Sequence, residues 1–338
     1  MTQSIPVYVG LDSHQKSIQA CVVDQEGRVL MNGRCPNDIA AVAERIGRFG
    51  KVREVAIESC CGAAEFAEQL SRGAGWSVSL AHPGIVSRMK CNPDKSDHGD
   101  ARILGELCRA GFLPRVWLAP RWVRELRTLM HRRQVCVAER KATKLRILAL
   151  LRDRRVREPG NVGRWTRAWL SWLANCELSG TDRWVIDREL EELKRRCELV
   201  TETESRLRYV TAGDDLVNRL LRLPGVGPVT AWLLRAQIGR FDRFQTGKQL
   251  SRFCALSPRN SSSGERVADS GLVKAGHPEL KRVLIQAAHR LIRREPRWSN
   301  LAKKLRSGGK PYNVTVAAVA NRWIRWLFHE MKEVQPIA

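Results

Sequence analysis

Two short apolar runs each stop on a carboxylate, and this pattern constrains the chain more than any other. Residues 7–11 (VYVGL) are rich in β-branched side chains and end at Asp12; residues 53–57 (REVAI) end in the same way at Glu58. Runs of this length and type read as strands. If the two are neighbours in one sheet, both acids lie at the same edge. Residues 17–23 (SIQACVV) and 28–32 form two further runs, parted by the turn signal Asp24-Gln25-Glu26-Gly27, so the first three runs read as a β-meander. Helical spacing follows at 38–49, where Ile39, Val42, Ile46 and Phe49 share a stripe, and again at 63–72 and 97–110. Residues 76–80 read as another strand. Three hairpin strands, a helix, then strand–helix–strand–helix is a mixed α/β layer order. The helix at 97–110 carries Asp97 and Asp100, three apart and hence on one face, with Ser96 placed to cap it. Packed across the strand ends, this helix would bring four carboxylates together.

Beyond Pro114 and Pro120 the character of the chain changes. Residues 1–118 hold 14 Lys/Arg against 13 Asp/Glu, whereas the whole chain of 338 residues carries 59 against 35, a net charge of +24. Nearly all of the excess therefore lies past residue 118. A folded chain this basic points to a polyanionic partner, nucleic acid before an anionic membrane surface. No apolar run is long enough to span a membrane, and the N-terminus lacks the features of a signal peptide. The ten cysteines include no Cys-x-x-Cys pair, so they read as reduced thiols of a cytoplasmic protein rather than as a disulfide framework.

Residues 121–157 contain 13 Lys/Arg against 3 Asp/Glu with apolar residues at helical spacing, a long basic helix able to track a phosphate backbone. A second long helix is expected over 183–210. There Ile186, Leu190, Leu193, Cys197, Val200 and Leu207 step by four and three, missing one position at Glu204, a heptad pattern that argues for a coiled coil and self-association. These features divide the chain into 1–118, a basic helical and coiled-coil region at 119–212, and a largely helical unit at 213–338. Trp165, Trp169, Trp172, Trp323 and Trp326 could stack on unpaired bases, but packing is the more ordinary use of such residues.

Two motifs stand out in the last unit. Leu223-Pro224-Gly225-Val226-Gly227-Pro228 resembles a helix-hairpin-helix, in which Gly225 and Gly227 permit a tight turn whose amides face a DNA phosphate. The loop Ser257-Pro258-Arg259-Asn260-Ser261-Ser262-Ser263-Gly264 is followed by Lys274, His277, Lys281 and Arg282. A serine can attack phosphorus when its hydroxyl is activated and the phosphate charge is held, although most serine-rich loops are solvated turns. Four converging carboxylates suit hard cations such as Mg²⁺ and hence phosphodiester chemistry.

Together these residues resemble the DEDD-type transposases of bacterial insertion sequences, the bridge-RNA-guided recombinases, with the Piv-type DNA invertases as relatives. The matching pieces are Val9-Gly10-Leu11-Asp12-Ser13-His14, Ile57-Glu58-Ser59, Lys95-Ser96-Asp97, Asp100-Ala101-Arg102, Pro224-Gly225-Val226-Gly227, Ala255-Leu256-Ser257-Pro258, Ser263-Gly264 and Leu280-Lys281-Arg282. The resemblance implies a RuvC-like, RNase H-type fold at the N-terminus, with Asp12, Glu58, Asp97 and Asp100 binding two Mg²⁺ ions. It implies Ser263 as a nucleophile that becomes joined to DNA, a structured noncoding guide RNA, and a dimer to tetramer whose active sites combine subunits. The family usually has Gly at the position of Ala255, Thr at that of Ser96 and Thr-Gly at that of Cys60-Cys61. Two rival readings use the same charge: a junction resolvase with water as nucleophile, and a nucleic-acid scaffold without turnover.

Overall fold

The computed structural model describes residues 5–90, 96–260 and 269–332. The chain divides into two compact units, Met1–Pro120 and Arg121–Ala338.

The first unit is a six-stranded mixed sheet with helices on both faces. Its elements in order are β1 (Pro6–Ser13), β2 (Ser17–Val23), β3 (Val29–Pro36), α1 (Ile39–Gly47), β4 (Lys51–Glu58), α2 (Ala63–Ala74), β5 (Val78–Ala81), α3 (Pro83–Met89), α4 (Asp97–Arg109) and β6 (Arg115–Val116). The strand order is β3-β2-β1-β4-β5-β6. β1 to β3 form an antiparallel meander, β4 and β5 run parallel to β1, and β6 closes the sheet antiparallel to β5. This arrangement is compatible with an RNase H-like domain. The short α3 and β6 have no counterpart in the sequence pattern, because neither is long enough to show a period.

Alternation along the strands assigns the two faces. Val7, Val9 and Leu11 of β1, with Val55 and Ile57 of β4, pack in one core with Val42 and Ile46 of α1 and Phe66, Ala67 and Leu70 of α2. The other parity packs against α4: Ala56 meets Leu104 and Cys108, and Cys21 and Val23 meet Ala101. Asp12 and Glu58 have this second parity, so both belong to the face that α4 covers. A close approach of backbones sets α4 in place. A Cβ on Gly10 would stand 2.0 Å from the Ala101 carbonyl oxygen and 2.4 Å from the Gly105 nitrogen. Glycine at both 10 and 105 lets helix and strand touch directly. Ser96 then caps α4, its hydroxyl accepting from the Gly99 amide at 3.1 Å.

Among its described residues the second unit is helical apart from one short pair of antiparallel strands. It comprises α5 (Arg121–Asp153), α6 (Arg167–Asn175), α7 (Gly180–Thr211), α8 (Asp215–Leu221), α9 (Pro228–Ile238), α10 (Gly247–Phe253), β7 (Pro258–Asn260), β8 (Asp269–Leu272), α11 (Pro278–Arg294), α12 (Pro296–Ser307) and α13 (Tyr312–Lys332). No described helix is long and apolar enough to cross a membrane.

α5 and α7 pack antiparallel, as the ion pairs Arg133–Glu204, Arg146–Glu189 and Arg154–Asp182 track along both helices. The heptad stripe of α7 is buried in this hairpin: Ile186 and Leu193 pack with Ile147 and Leu151, and Leu207 with Leu126 and Met130. The repeat is thus satisfied within the chain and does not by itself require a second subunit. The tryptophans also pack. Trp169 is fully buried between Trp165 and Trp172, with ring centroids 4.7 and 5.6 Å away, and its Nε1 donates to Glu158. Trp165 lies before α6 rather than in it, at φ +68°. Trp323 is buried and Trp326 meets Trp298 edge-on.

α10 ends in a Schellman motif: the Leu256 amide donates to the Ser251 carbonyl and the Ala255 amide to the Arg252 carbonyl. Ala255 takes the left-handed position of that motif, at φ +56°. Glycine is the ordinary residue there, which explains physically why the related pattern carries glycine at this point.

Candidate metal centre

The parity of β1 and β4 aims Asp12 and Glu58 at the α4 face, and their register completes the placement. Leu11 pairs with Ile57 across the parallel strands, so Asp12 and Glu58 occupy the next step on adjacent strands, about 4.8 Å apart in the sheet. α4 enters over this edge with Asp97 and Asp100 in its first turn. Carboxylates there also gain from the helix dipole.

The tightest group comprises Asp12, His14 and Asp97, whose ligand atoms all lie within 4.8 Å of one another. His14 Nε2 stands 3.2 Å from Asp12 Oδ2 and 3.4 Å from Asp97 Oδ2. Burial pushes the Asp12 carboxyl above its ordinary value; His14 pulls it down, and the charges of Asp100 and Asp97 push it up again. All three aspartates therefore share one electrostatic neighbourhood. Glu58 is outside the tight group, but it is close enough to act on the same surroundings. The Cys60 thiol is pushed up by burial first, then by the charges of Glu58 and Asp12.

Two cations partly neutralise the cluster. Arg34 Nη2 lies 2.9 Å from Asp97 Oδ2, and Lys90 Nζ lies 2.6 Å from Asp100 Oδ1. His14, Arg34 and Lys90 were not singled out as site residues by the sequence pattern. The signal for His14 was there, two residues after Asp12 and hence on the same side of the strand end. Arg34 and Lys90 come near only through β3 pairing and the α3 turn.

The donor set fits a divalent cation. It offers hard carboxylate oxygens and one imidazole at a half-buried strand edge, with like charges that a bound cation would relieve. Within the tight group Asp12 and Asp97 could supply oxygen ligands and His14 a nitrogen, while Asp100 flanks it in the same turn of α4 and Glu58 at the end of the adjoining strand.

The remaining sequence candidates lie in the second unit. Gly225 and Gly227 form the turn between α8 and α9. Only Gly225 needs its glycine for conformation, with φ +79° and a Cβ position 3.0 Å from Leu291. Gly227 is extended, precedes Pro228 at the start of α9 and faces open space. Lys274 is exposed before α11, while Lys281 and Arg282 lie in its first turns. Ser261, Ser262, Ser263 and Gly264 lie outside the described residues, as does Lys95.

Two family profiles match in tandem: the DEDD-type IS110 transposase profile over residues 9–154 and the "Transposase IS116/IS110/IS902 family" profile over residues 217–303. The chain belongs to this transposase family. It is 27% identical to the transposase for insertion sequence element IS1111A of Coxiella burnetii, over 84% of this chain and 78% of that protein. It is 28% identical to the transposase for IS1328 of Yersinia enterocolitica, over 80% and 81% of the two chains. An IS110 insertion-element protein of Streptomyces coelicolor is 21% identical over 98% of this chain and 95% of its own length. The protein is thus an insertion-sequence transposase, an enzyme acting on DNA, and its first profile spans the whole carboxylate cluster.

Proposed function

We propose that this transposase cuts and rejoins DNA through a covalent serine link, with a structured noncoding RNA choosing the donor and target sites. The observation that carries the reading is the gathering of Asp12, Asp97 and Asp100 at one sheet edge with Glu58 on the adjoining strand. Divalent ions bound there, two Mg²⁺ per site, supply Lewis-acid polarisation of the scissile phosphate. The four carboxylates hold that charge in place, and His14 fixes the orientation of Asp12 and Asp97.

Ser263 is the nucleophile. Its Oγ forms a bond to phosphorus while the P–O bond to the leaving strand breaks; the hydroxyl proton is lost and the leaving oxygen gains one. One ester is made for each ester broken, so rejoining needs no external energy source. The turn amides at Gly225 and Gly227, with Lys274, Lys281 and Arg282, hold backbone phosphates. The working form is a homo-oligomer, from dimer to tetramer, in the bacterial cytoplasm, with the carboxylates of one subunit serving the serine of another.

The test uses protein purified with its co-bound RNA, Mg²⁺ and end-labelled element-junction DNA. The expected result is a protein–DNA adduct that survives denaturation and is absent from Ser263→Ala. Cleavage without any adduct, in wild type and Ser263→Ala alike, would establish water as the nucleophile, as in a junction resolvase; an adduct that persists in Ser263→Ala would move the role to Ser261 or Ser262. Unchanged cleavage and joining in Asp12→Ala would take the carboxylates out of the chemistry, and no cleavage by the wild-type protein either would leave a scaffold as the remaining reading.

A further inference from the structure

α13 buries one face in the core of the second unit through Val316, Val319, Ala320, Trp323, Ile324 and Leu327. Its other face does something different. Ala317 and Ala318 sit mid-helix, where longer side chains would fill the surface, and the space they leave is part of a hollow of about 820 Å³. That is within the size of small-molecule pockets, about 300–1,000 Å³. Leu256, Leu272 and Val314 add apolar walls.

The rim is cationic: Lys248, Lys310, Arg322 and Arg325 line the hollow, and among the described residues no carboxylate does. None of the four is ion-paired among the described residues, unlike the arginines of the α5–α7 hairpin. Lys248 reaches this rim because Gly247 lets α10 abut α13. A Cβ there would stand 3.1 Å from both the Cα and the carbonyl oxygen of Arg325.

One polar group is fixed within the hollow. The Asn321 amide nitrogen donates to the buried Ser251 hydroxyl at 2.7 Å and to the Leu256 carbonyl at 3.0 Å. Both of its protons are thereby used, and its Oδ1 remains as an acceptor. Both partners belong to the Schellman turn that ends α10, so the orientation of this acceptor is held by the same turn that leads into β7.

We propose that this hollow is a nucleotide-binding subsite, taking one unpaired nucleotide of a single strand. The base rests on the alanine floor and offers an N–H to Asn321, and the flanking phosphates lie against the four cations. Phosphate contacts alone would need only a flat basic surface; the apolar floor and the fixed acceptor call for a base that has left its stack. A duplex could lay only its phosphates across the rim. This proposal rests on nucleic acid being the substrate of the transposase.

The experiment measures binding of fluorescent 12-nucleotide probes to the full-length protein by anisotropy, over a range of salt. The probes are single-stranded DNA and RNA of the same sequence, each also with abasic central positions. Three proteins are compared: wild type, Ala318→Trp, which fills the hollow without changing charge, and Lys310→Gln/Arg322→Gln, which weakens the rim without filling it. Thermal melting checks that each variant folds.

Wild type is expected to bind an intact strand at least about tenfold more tightly than the abasic one, the scale of losing one stacked base. Ala318→Trp should erase that preference. The double Gln variant should weaken both strands, with a salt slope shallower by about 0.7 for each phosphate that is no longer neutralised. The strand, DNA or RNA, whose preference collapses is the occupant. Wild-type preference that survives in Ala318→Trp would overturn the proposal even if the Gln variant binds weakly, since the cations would then act as general charge. Absence of any binding by wild type would instead strike the proposed function itself.

Discussion

The acidic strand edge of the first unit and the basic hollow on α13 differ less in how much charge they hold than in whether that charge is paired. At the strand edge the nearest cations are committed, Arg34 to Asp97 and Lys90 to Asp100. Around the hollow beside α13, Lys248, Lys310, Arg322 and Arg325 face no carboxylate among the described residues. The α5–α7 hairpin lies between these extremes. α5 is part of the most basic stretch of the sequence, yet Arg133, Arg146 and Arg154 are bonded to acids of α7. A basic run in a sequence is therefore a poor guide to where a polyanion binds. Cations that a fold leaves unpaired, next to a shaped cavity, are a better one.

The comparison can be broken most severely at the strand edge. Asp12→Asn keeps the size of the side chain and removes its charge. DNA cleavage should fall on the order of 10³-fold, the scale of losing a preorganised electrostatic group, while the melting temperature changes little. Normal cleavage by Asp12→Asn would remove the cluster from the chemistry.

Gly10→Ala tests how the edge is assembled. Its methyl would overlap the Ala101 carbonyl and the Gly105 amide, neither of which can move without shifting α4. We expect a loss of about 3 kcal/mol in denaturant unfolding, at the upper end for overpacking. A variant as stable as wild type would mean that α4 does not need this close approach.

Lys90→Met addresses pairing directly. Without Lys90, Asp100 loses its cation, and a divalent ion no longer competes with an ammonium group for that carboxylate. Affinity for a lanthanide probe such as Tb³⁺ should rise on the order of tenfold, about 1.4 kcal/mol of released competition. In the presence of chelator the variant should melt lower than wild type, because the aspartates then repel one another unrelieved. Unchanged Tb³⁺ affinity would show that the ion pair and the metal do not share Asp100.

The smallest effect is expected next to the hollow. Ala255→Gly relieves a left-handed alanine, worth about 1 kcal/mol, and gives up a buried methyl together with some chain entropy. The net gain in stability should be about 0.5 kcal/mol, seen as a small rise in melting temperature. A clear loss would mean that the Ala255 methyl, packed on Gly276, matters more than its backbone strain.

Much of the first unit was legible because its signals are local. β-Branched runs ending in acids, a turn at Asp24-Gln25-Glu26-Gly27 and a capped helix at Ser96 are each set by a few neighbouring residues. Asp12, Glu58, Asp97 and Asp100 could be selected for the same reason. His14 joined them only in three dimensions, since an imidazole two residues from an aspartate has many possible uses until a second carboxylate approaches it. The heptads of α7 show the converse. Their period was correct, but no period says whether the partner helix belongs to the same chain or another.

Sequence alone determined the longer strands and helices, many of the residues that face a core, and the choice of Asp12, Glu58, Asp97 and Asp100 as candidate acids. These follow from side-chain period, capping and residue type, all of which act over a few positions. Tertiary structure decided the rest. It set α4 on β1 through Gly10 and Gly105, paired the arginines of α5 with acids far along the chain, and left a hollow on α13 where two alanines meet unpaired cations. These outcomes depend on which surfaces come within a few ångströms of each other, and short-range packing and Coulomb forces act only once the chain has folded.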